Sequence, residues 1–343
     1  MKDTHQQAAA FLEKQLETES PNLPADLRRS LANIGAYISE KKANADRTPM
    51  SQTEPKKEPA QVIQLQFWGE DYRAAPNAVF RSALFPALRG NDKENRPYLE
   101  EQEIYCVAGL KIFFTGKQFD QSDLDVYLEI LNMAQPFPLG TPVKFSAYAL
   151  LKALGLPVGG SNHARLHKVL IRLCGGVIDI TDHGKRYFGQ LLHGGIRDEI
   201  TFNYEITINP KFAALFGFGM WSKIDLEKRR ALGRNNTAKA LHCYYSSHIN
   251  PTAHNIETLC NIAGIKGKNR KSTILKAHDA MKEKGILNDY TATAETIKAV
   301  IIPTDSQARA TIKQDRKASK ASSPRRNEPT PAAAFFTRLK TEK

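Results

Sequence analysis

Lys268, Asn269, Arg270 and Lys271 stand in succession ahead of a helical pattern in GKNRKSTILKAHDAMKEKGIL, residues 267–287. Ammonium and guanidinium groups bind phosphates or the acceptor edge of guanine, and an asparagine amide can pair with adenine. Behind them Ile274, Ala277 and Met281 recur on one helical face, while Ser272, Lys276, Asp279 and Glu283 fall on the opposite one. The exposed face is therefore cationic early and acidic late, so only its first half can approach phosphates. A helix N-terminus adds its own positive end. Helix-turn-helix folds set the first residues of the recognition helix against base edges. The chemistry implied is polyanion binding by Lys268, Asn269, Arg270, Lys271, Ser272 and Lys276. Taken alone, the stretch can equally be a solvated helix end with ordinary surface lysines.

A second group has the same character. Arg165, Lys168 and Arg172 share one side of a helix whose other side carries Leu166, Val169, Leu170 and Leu173. At 100° per residue the three cations fall within about 60° of one another. Lys185 and Arg186 follow Asp182-His183-Gly184, a turn that could be a wing reaching the minor groove or backbone. LEKRRALGR, residues 226–234, adds Arg229, Arg230 and Arg234 as a basic connector. Residues 223–288 hold 13 Lys+Arg against 5 Asp+Glu, and the whole chain carries a formal charge of +13. Nucleic acid is the partner such a balance favours.

Bond-making chemistry finds little support. A rolling-circle nicking enzyme needs a His-hydrophobe-His metal pair beside its tyrosine; Tyr244-Tyr245 is present without that pair. GIKGKNRKST lacks the contiguous G-K-[ST] of a phosphate loop, and His163 with His167 enclose no Glu base for a zinc protease. His242, Cys243, His248, His254 and Cys260 cluster in sequence at no standard finger spacing, so packing is their simpler use. Neither a metal nor another cofactor nor an enzymatic activity is expected. The four cysteines form no CxxC pair, which suits a reducing compartment. No apolar run reaches the ~18 residues of a spanning helix, and MKDTHQQAAA lacks a signal-peptide core. The expected location is the cytoplasm, away from membranes.

The elements that must position these residues follow from hydrophobic spacing. Residues 1–60 read as an N-terminal helical segment, with Leu27, Leu31, Ile34 and Ile38 on one stripe, and a Pro- and Lys-rich linker from 42 onward. Residues 61–75 are an extended segment. Asp120 and Ser122 can cap a helix bearing Leu124, Tyr127, Leu128 and Leu131. Val143–Phe145 is extended, and Ser146 caps a helix with Leu150, Leu151 and Leu154 that stops at Gly155. Ser161 is placed to cap the helix of Arg165. Strand patterns follow at 177–181, 186–192 and 199–208, with Ile200, Phe202, Tyr204, Ile206 and Ile208 alternating inward.

Helix, strand, helix, helix, hairpin is the order of a winged helix. It returns with Leu241, Tyr244, Tyr245 and His248, then Ile256, Leu259 and Ile262, then Ile274, Ala277 and Met281, and strands at 286–290 and 297–302. The expected fold is α+β: two tandem winged-helix domains, 76–215 and 216–303, with a flexible N-terminal segment and a disordered basic C-terminal tail, 304–343, that adds non-specific DNA affinity.

AAPNAVFRSALF (74–85), FDQSDLDVYLEIL (119–131) and YALLKALG (148–155) resemble the TrfA family of plasmid replication initiators, and the likeness covers about residues 63–300. The resemblance implies binding to directly repeated origin sequences (iterons) in double-stranded DNA and opening of an A+T-rich segment as single strands. It also implies partners in the host sliding clamp, replicative helicase and chromosomal initiator. A balance between active monomers and inactive dimers, serving plasmid copy control, is implied too. The family likewise suggests that QLQFW is a clamp-binding peptide with Gln64, Leu65, Phe67 and Trp68 as anchors. Packing of Leu65, Phe67 and Trp68 onto the first domain is the alternative. From the residues a second function stays open, a winged-helix repressor that binds a palindromic operator as a dimer. Two unlike domains in one chain suit instead an asymmetric site of roughly two turns, about 20 bp.

Overall fold

The computed structural model describes residues 64–312 except 89–94, 108, 183, 217–219, 249–252, 304–306 and 310, and these form a mixed helix and sheet protein. The expected N-terminal helices, the linker and the tail beyond 312 lie outside the described residues. In chain order the elements are β1 (Tyr72–Pro76), α1 (Asn77–Phe80), β2 (Tyr98–Glu103), β3 (Lys111–Lys117), α2 (Gln121–Ala134), β4 (Val143–Ser146), α3 (Ala147–Ala153) and α4 (Gly160–Gly175). There follow β5 (Val177–Asp182), β6 (Lys185–Gln190), β7 (Leu192–Arg197), β8 (Asn203–Ile208), a 3-10 turn at Pro210–Leu215 and β9 (Trp221–Asp225). Last come α5 (Leu226–Ala231), α6 (Asn236–Ser246), β10 (His254–Asn255), α7 (Ile256–Ile262), α8 (Arg270–Glu283), β11 (Leu287–Ala292) and β12 (Thr296–Ile301).

Helix boundaries have local causes. Asp120 closes a capping box on α2: its carboxylate accepts the N–H groups of Ser122 and Asp123, and Asp123 accepts that of Asp120. Ser146 caps α3 through the Ala149 N–H at 3.0 Å, and Gly155, at φ +67°, ends it in the left-handed conformation. The expected cap of α4 is corrected. Gly159 occupies that position, because the Asn162 and His163 N–H groups both return to its carbonyl, and Ser161 lies inside the first turn.

Two sheets serve the first core. β4, β8 and β7 lie side by side in that order, while β5 and β6 join β3 and β2 in a four-stranded sheet. Residues 199–202 are not strand, contrary to the alternation. Asp198 accepts the Ile200 and Thr201 N–H groups at 2.8 Å each, and Phe202 sits at φ +54°, so Ile200 and Phe202 turn outward. In the second core β10, β12 and β11 take the same spatial order as β4, β8 and β7. Its buried residues include the predicted Leu241, Tyr244, Tyr245, Ile256, Leu259, Ile262, Ile274, Ala277 and Met281.

One core runs from Leu65 to Ile224 with Cys243 added, and the other from Leu232 to Ala299. β1 pairs antiparallel with β9 and so delivers the chain to α5 between them. Close backbone approach seals the junction. The Ala87 N–H meets the Ala263 carbonyl at 2.8 Å, and a Cβ added to Gly264 would lie 2.3 Å from Cβ of Pro86. Packing also extends beyond the boundary expected at 304: buried Gln307 donates from Nε2 to the carbonyls of Ser246 and His248 at 3.2 and 2.8 Å.

Candidate nucleic-acid interface

α8 presents the face its sequence predicts. Ser272, Lys276, Asp279 and Glu283 are exposed opposite the buried Ile274, Ala277 and Met281. Lys268 and Asn269 are exposed just ahead of it, and Asn269, at the cap position, makes no side-chain cap bond, so the helix does not engage its amide. Arg270 stands half exposed, 4.0 Å from Glu257 of α7. Lys271 donates from Nζ to the Ala294 carbonyl at 3.0 Å, which ties the β11–β12 turn to the front of the helix.

The set on α4 divides. Arg165 and Lys168 are exposed, and with Lys117 they edge a groove of about 610 Å³ floored by Val126, Leu151, Leu154 and Val169. Arg172 does not join them in solvent. It binds Asp123 through Nη2 at 2.6 Å and Nε at 3.2 Å, while Arg96 binds Asp123 at 2.7 Å and Asp120 at 2.6 Å. Burial raises the Asp123 carboxyl above its ordinary range, against the pull of Arg172 and Arg96. Arg172 is thus a strut between α4 and α2, and its expected DNA contact is corrected: the wheel places its angle well, but a buried acid on another helix, Asp123, holds it.

The wing assigned to Lys185 and Arg186 is likewise corrected. Asp182 pairs with Lys185 in the β5–β6 hairpin, which belongs to the four-stranded sheet. By sheet order the counterpart of β11–β12 is β7–β8, and β5–β6 is interposed between α4 and that hairpin. Arg186 is held by Asp179 across the strands at 2.5 Å and keeps that carboxyl below its usual range. The side chain of Lys185 lies outside the described residues.

In the connector, Arg230 and Arg234 are exposed and line a cavity of about 360 Å³ that shares Leu154 and Leu156 with the groove beside α4. A cationic path therefore runs from Lys117, Arg165 and Lys168 past the Leu154–Leu156 turn to Arg230 and Arg234. Arg229 leaves the set, being 2% exposed and bound to Asp125 at 2.5 Å. Lys117 was missed, although KIFFTGK, with Ile112 and Phe114 buried and Lys111 and Lys117 exposed, carries the alternation that reveals it.

Leu65 and Trp68 of QLQFW belong to the first core. The Trp68 indole N–H donates to Asn132 Oδ1 at 3.2 Å, and its ring lies 6.4 Å from that of Phe216 and 6.2 Å from that of Trp221. Gln64 donates to the Gln135 carbonyl at 3.1 Å, and Phe67 stands 79% exposed. Packing is the arrangement this conformation adopts, and it withholds two of the four anchors from any partner.

Among the described residues no three His, Cys, Asp or Glu side chains group as a metal set, all four cysteines are free, and no helix is long and apolar enough to cross a membrane. Burial, with Arg229 and Lys228 nearby, lowers His242 to about 3, and burial raises Cys243, so both are neutral packing groups.

The described residues thus form two cores, each bearing a cationic third helix beside a hairpin. The TrfA protein family matches residues 30–298, and the chain belongs to that family. The plasmid replication initiator protein TrfA of Escherichia coli is 26% identical over 294 residues, covering 82% of this chain and 76% of that protein. Among solved structures, domains 2 and 3 of RctB align with a TM-score of 0.44 at 12% identity, over 66% of this chain and 99% of that one. The Pi initiator protein, solved in complex with iteron DNA, aligns with a TM-score of 0.44 at 9% identity, over 68% and 99%.

Proposed function

We propose that this chain initiates plasmid replication by binding directly repeated origin sequences through two tandem winged helices, and that it works by binding energy, not by bond chemistry. One observation carries the reading. With the interposed β5–β6 hairpin set aside, each core follows the order helix, strand, helix, helix, strand, strand with its third strand central, and each third helix presents solvent-facing cations: Arg165 and Lys168 on α4, Lys276 and the half-exposed Arg270 on α8. Two unlike reading heads in one chain favour a directional site over a palindrome. Occupancy of an array by several monomers would bend DNA, and A+T-rich steps beside it unstack more easily. A plasmid initiator of this kind acts in the cytoplasm. If a sliding clamp docks on residues 64–68, Leu65 and Trp68 must first leave the core.

The test is selection of bound DNA from a random pool, followed by footprinting. A single directional site of about two helical turns, protected by a monomer, is the expected result. A palindrome protected only by a dimer would instead identify a repressor, and an absence of sequence preference would reduce the surface to non-specific binding.

A further inference from the structure

Two acids, two residues apart on α2, hold different elements. Asp123 grips Arg172 of α4, whereas Asp125 faces the other unit and gives each carboxylate oxygen to one cation: Oδ1 to Arg229 Nε of α5 at 2.5 Å, Oδ2 to Lys239 Nζ of α6 at 2.8 Å. Arg229 completes the joint. Its Nη2 reaches Gln121 Oε1 on α2 at 3.0 Å, and its Nη1 reaches the Lys239 carbonyl and Cys243 Sγ on α6, both at 3.2 Å. Burial would raise the Asp125 carboxyl, but Arg229 and Lys239 outweigh it and keep it below the ordinary range.

The joint sits on a path between the two DNA-facing helices. α6 carries Tyr245, whose hydroxyl lies 2.8 Å from Nε2 of His278 on α8. From α4 to α8 the chain of contacts is Arg172, Asp123, the backbone of α2, Asp125, Arg229 with Lys239, α6, Tyr245 and His278. At its other end α6 is held by Arg81, whose Nε donates to Ser247 Oγ at 3.1 Å and whose Nη2 reaches the Ser247 carbonyl. Lys239 and Ser247 are eight residues apart, about 12 Å along a helix. A helix tied at one end can swing; tied at both, it has one direction.

We infer that Asp125 is a positioning residue for site recognition: it fixes α8 relative to α4 and so sets the number of base pairs between the two halves of the bound site. This rests on the tandem reading proposed above. The consequence is rigid spacing, because each inserted base pair rotates the second half-site by roughly a tenth of a turn.

Two measurements on the full chain test it, with Asp125→Asn as the main variant and Arg229→Lys, which keeps the charge but loses the planar fork, as a second in case the first fails to fold. The first needs no DNA. Spin labels at Ala164→Cys and Asp279→Cys, in a chain carrying Cys106→Ser and Cys174→Ser, should give one narrow distance distribution that broadens or shifts in the variants. The second is a spacing series on the selected site. Without the variants, inserting two base pairs between the halves should lower affinity about tenfold or more, the equivalent of one lost base-pair contact. In the variants the loss should shrink to less than about threefold, as expected when two heads bind nearly independently. A narrow, unshifted distance together with the original spacing preference would overturn the inference. Should no directional site exist, the tandem reading fails, while the label distance still decides whether Asp125 holds the two units.

Discussion

Tyr245 donates its hydroxyl hydrogen to Nε2 of His278 across 2.8 Å, joining the first helix of the second core to the third. The direction of that bond follows from the other ring nitrogen. Nδ1 of His278 lies 2.8 Å from the Ile274 carbonyl, which can only accept, so Nδ1 carries the hydrogen and Nε2 is the acceptor. Burial lowers the pKa of the ring and keeps it neutral. Tyr245→Phe should leave a buried acceptor without its donor, at a cost of about 1–3 kcal/mol. Urea denaturation reads this as a lower midpoint at constant slope; an unchanged midpoint would mean that the bond contributes nothing net.

His242 makes stability depend on pH. Its imidazole takes a proton near 6.5 in an unfolded chain but only at about 3 in the fold, where it is buried and Nδ1 has no hydrogen-bond partner. Between those limits the unfolded state binds the extra proton, so the stabilisation is complete above pH 6.5 and declines as the pH falls, by up to about 1.4 kcal/mol per pH unit. Non-titrating His242→Gln should flatten the acid limb by that one proton. Urea midpoints at pH 5 and pH 7 decide it: equal pH slopes in both proteins would exclude His242 as the source.

The cations of α4 should separate into two kinds. Arg172→Ala leaves Asp123, a fully buried acid, with Arg96 alone, and breaking one side of such a pair costs about 3–5 kcal/mol. Lys168→Ala should change stability by less than about 0.5 kcal/mol and act on DNA. On the other unit, Lys276→Ala and Arg270→Ala should each weaken specific binding by about 1–3 kcal/mol. Wild-type affinity in both of those variants would remove α8 from the interface.

Helical spacing is local, and what it governs was legible: the inward faces of α2, α4, α6, α7 and α8, the Asp120 and Ser146 caps, and the exposed face of α8. The errors arise where a distant partner decides. Arg172 and Arg229 have the composition and angle of DNA contacts, but Asp123 and Asp125 of α2 hold them, and no periodicity within their own helices reports this. Ile200 and Phe202 alternate correctly for a strand, yet the Asx turn of Asp198 bends the chain before they can pair. Lys185 and Arg186 follow a true turn, but that hairpin joins β3, about seventy residues upstream in the chain. Sheet partnership across such separations leaves no mark in a short window of sequence.

The segment QLQFW can be assigned by light. The chain has two tryptophans, Trp68 and Trp221, and their rings lie 6.2 Å apart. In a Trp221→Phe chain the emission reports Trp68 alone, which is buried at 4% exposure. Trp68→Ala should cost about 3–5 kcal/mol of stability, as large-to-small changes in a core do, whereas Phe67→Ala, at an exposed position, should cost less than about 0.5 kcal/mol. If a bacterial sliding clamp captures residues 64–68, adding it should abolish the Trp68–Asn132 hydrogen bond and change the indole environment. The measured signs would be a shifted emission, after subtraction of the clamp's own, and faster amide exchange around Asn132 and Gln135. Phe67→Ala should weaken that capture without touching stability, which separates a lost anchor from a damaged core. Binding with unmoved emission would place the clamp contact elsewhere in the chain, and no binding would leave QLQFW as a packing segment of the first core.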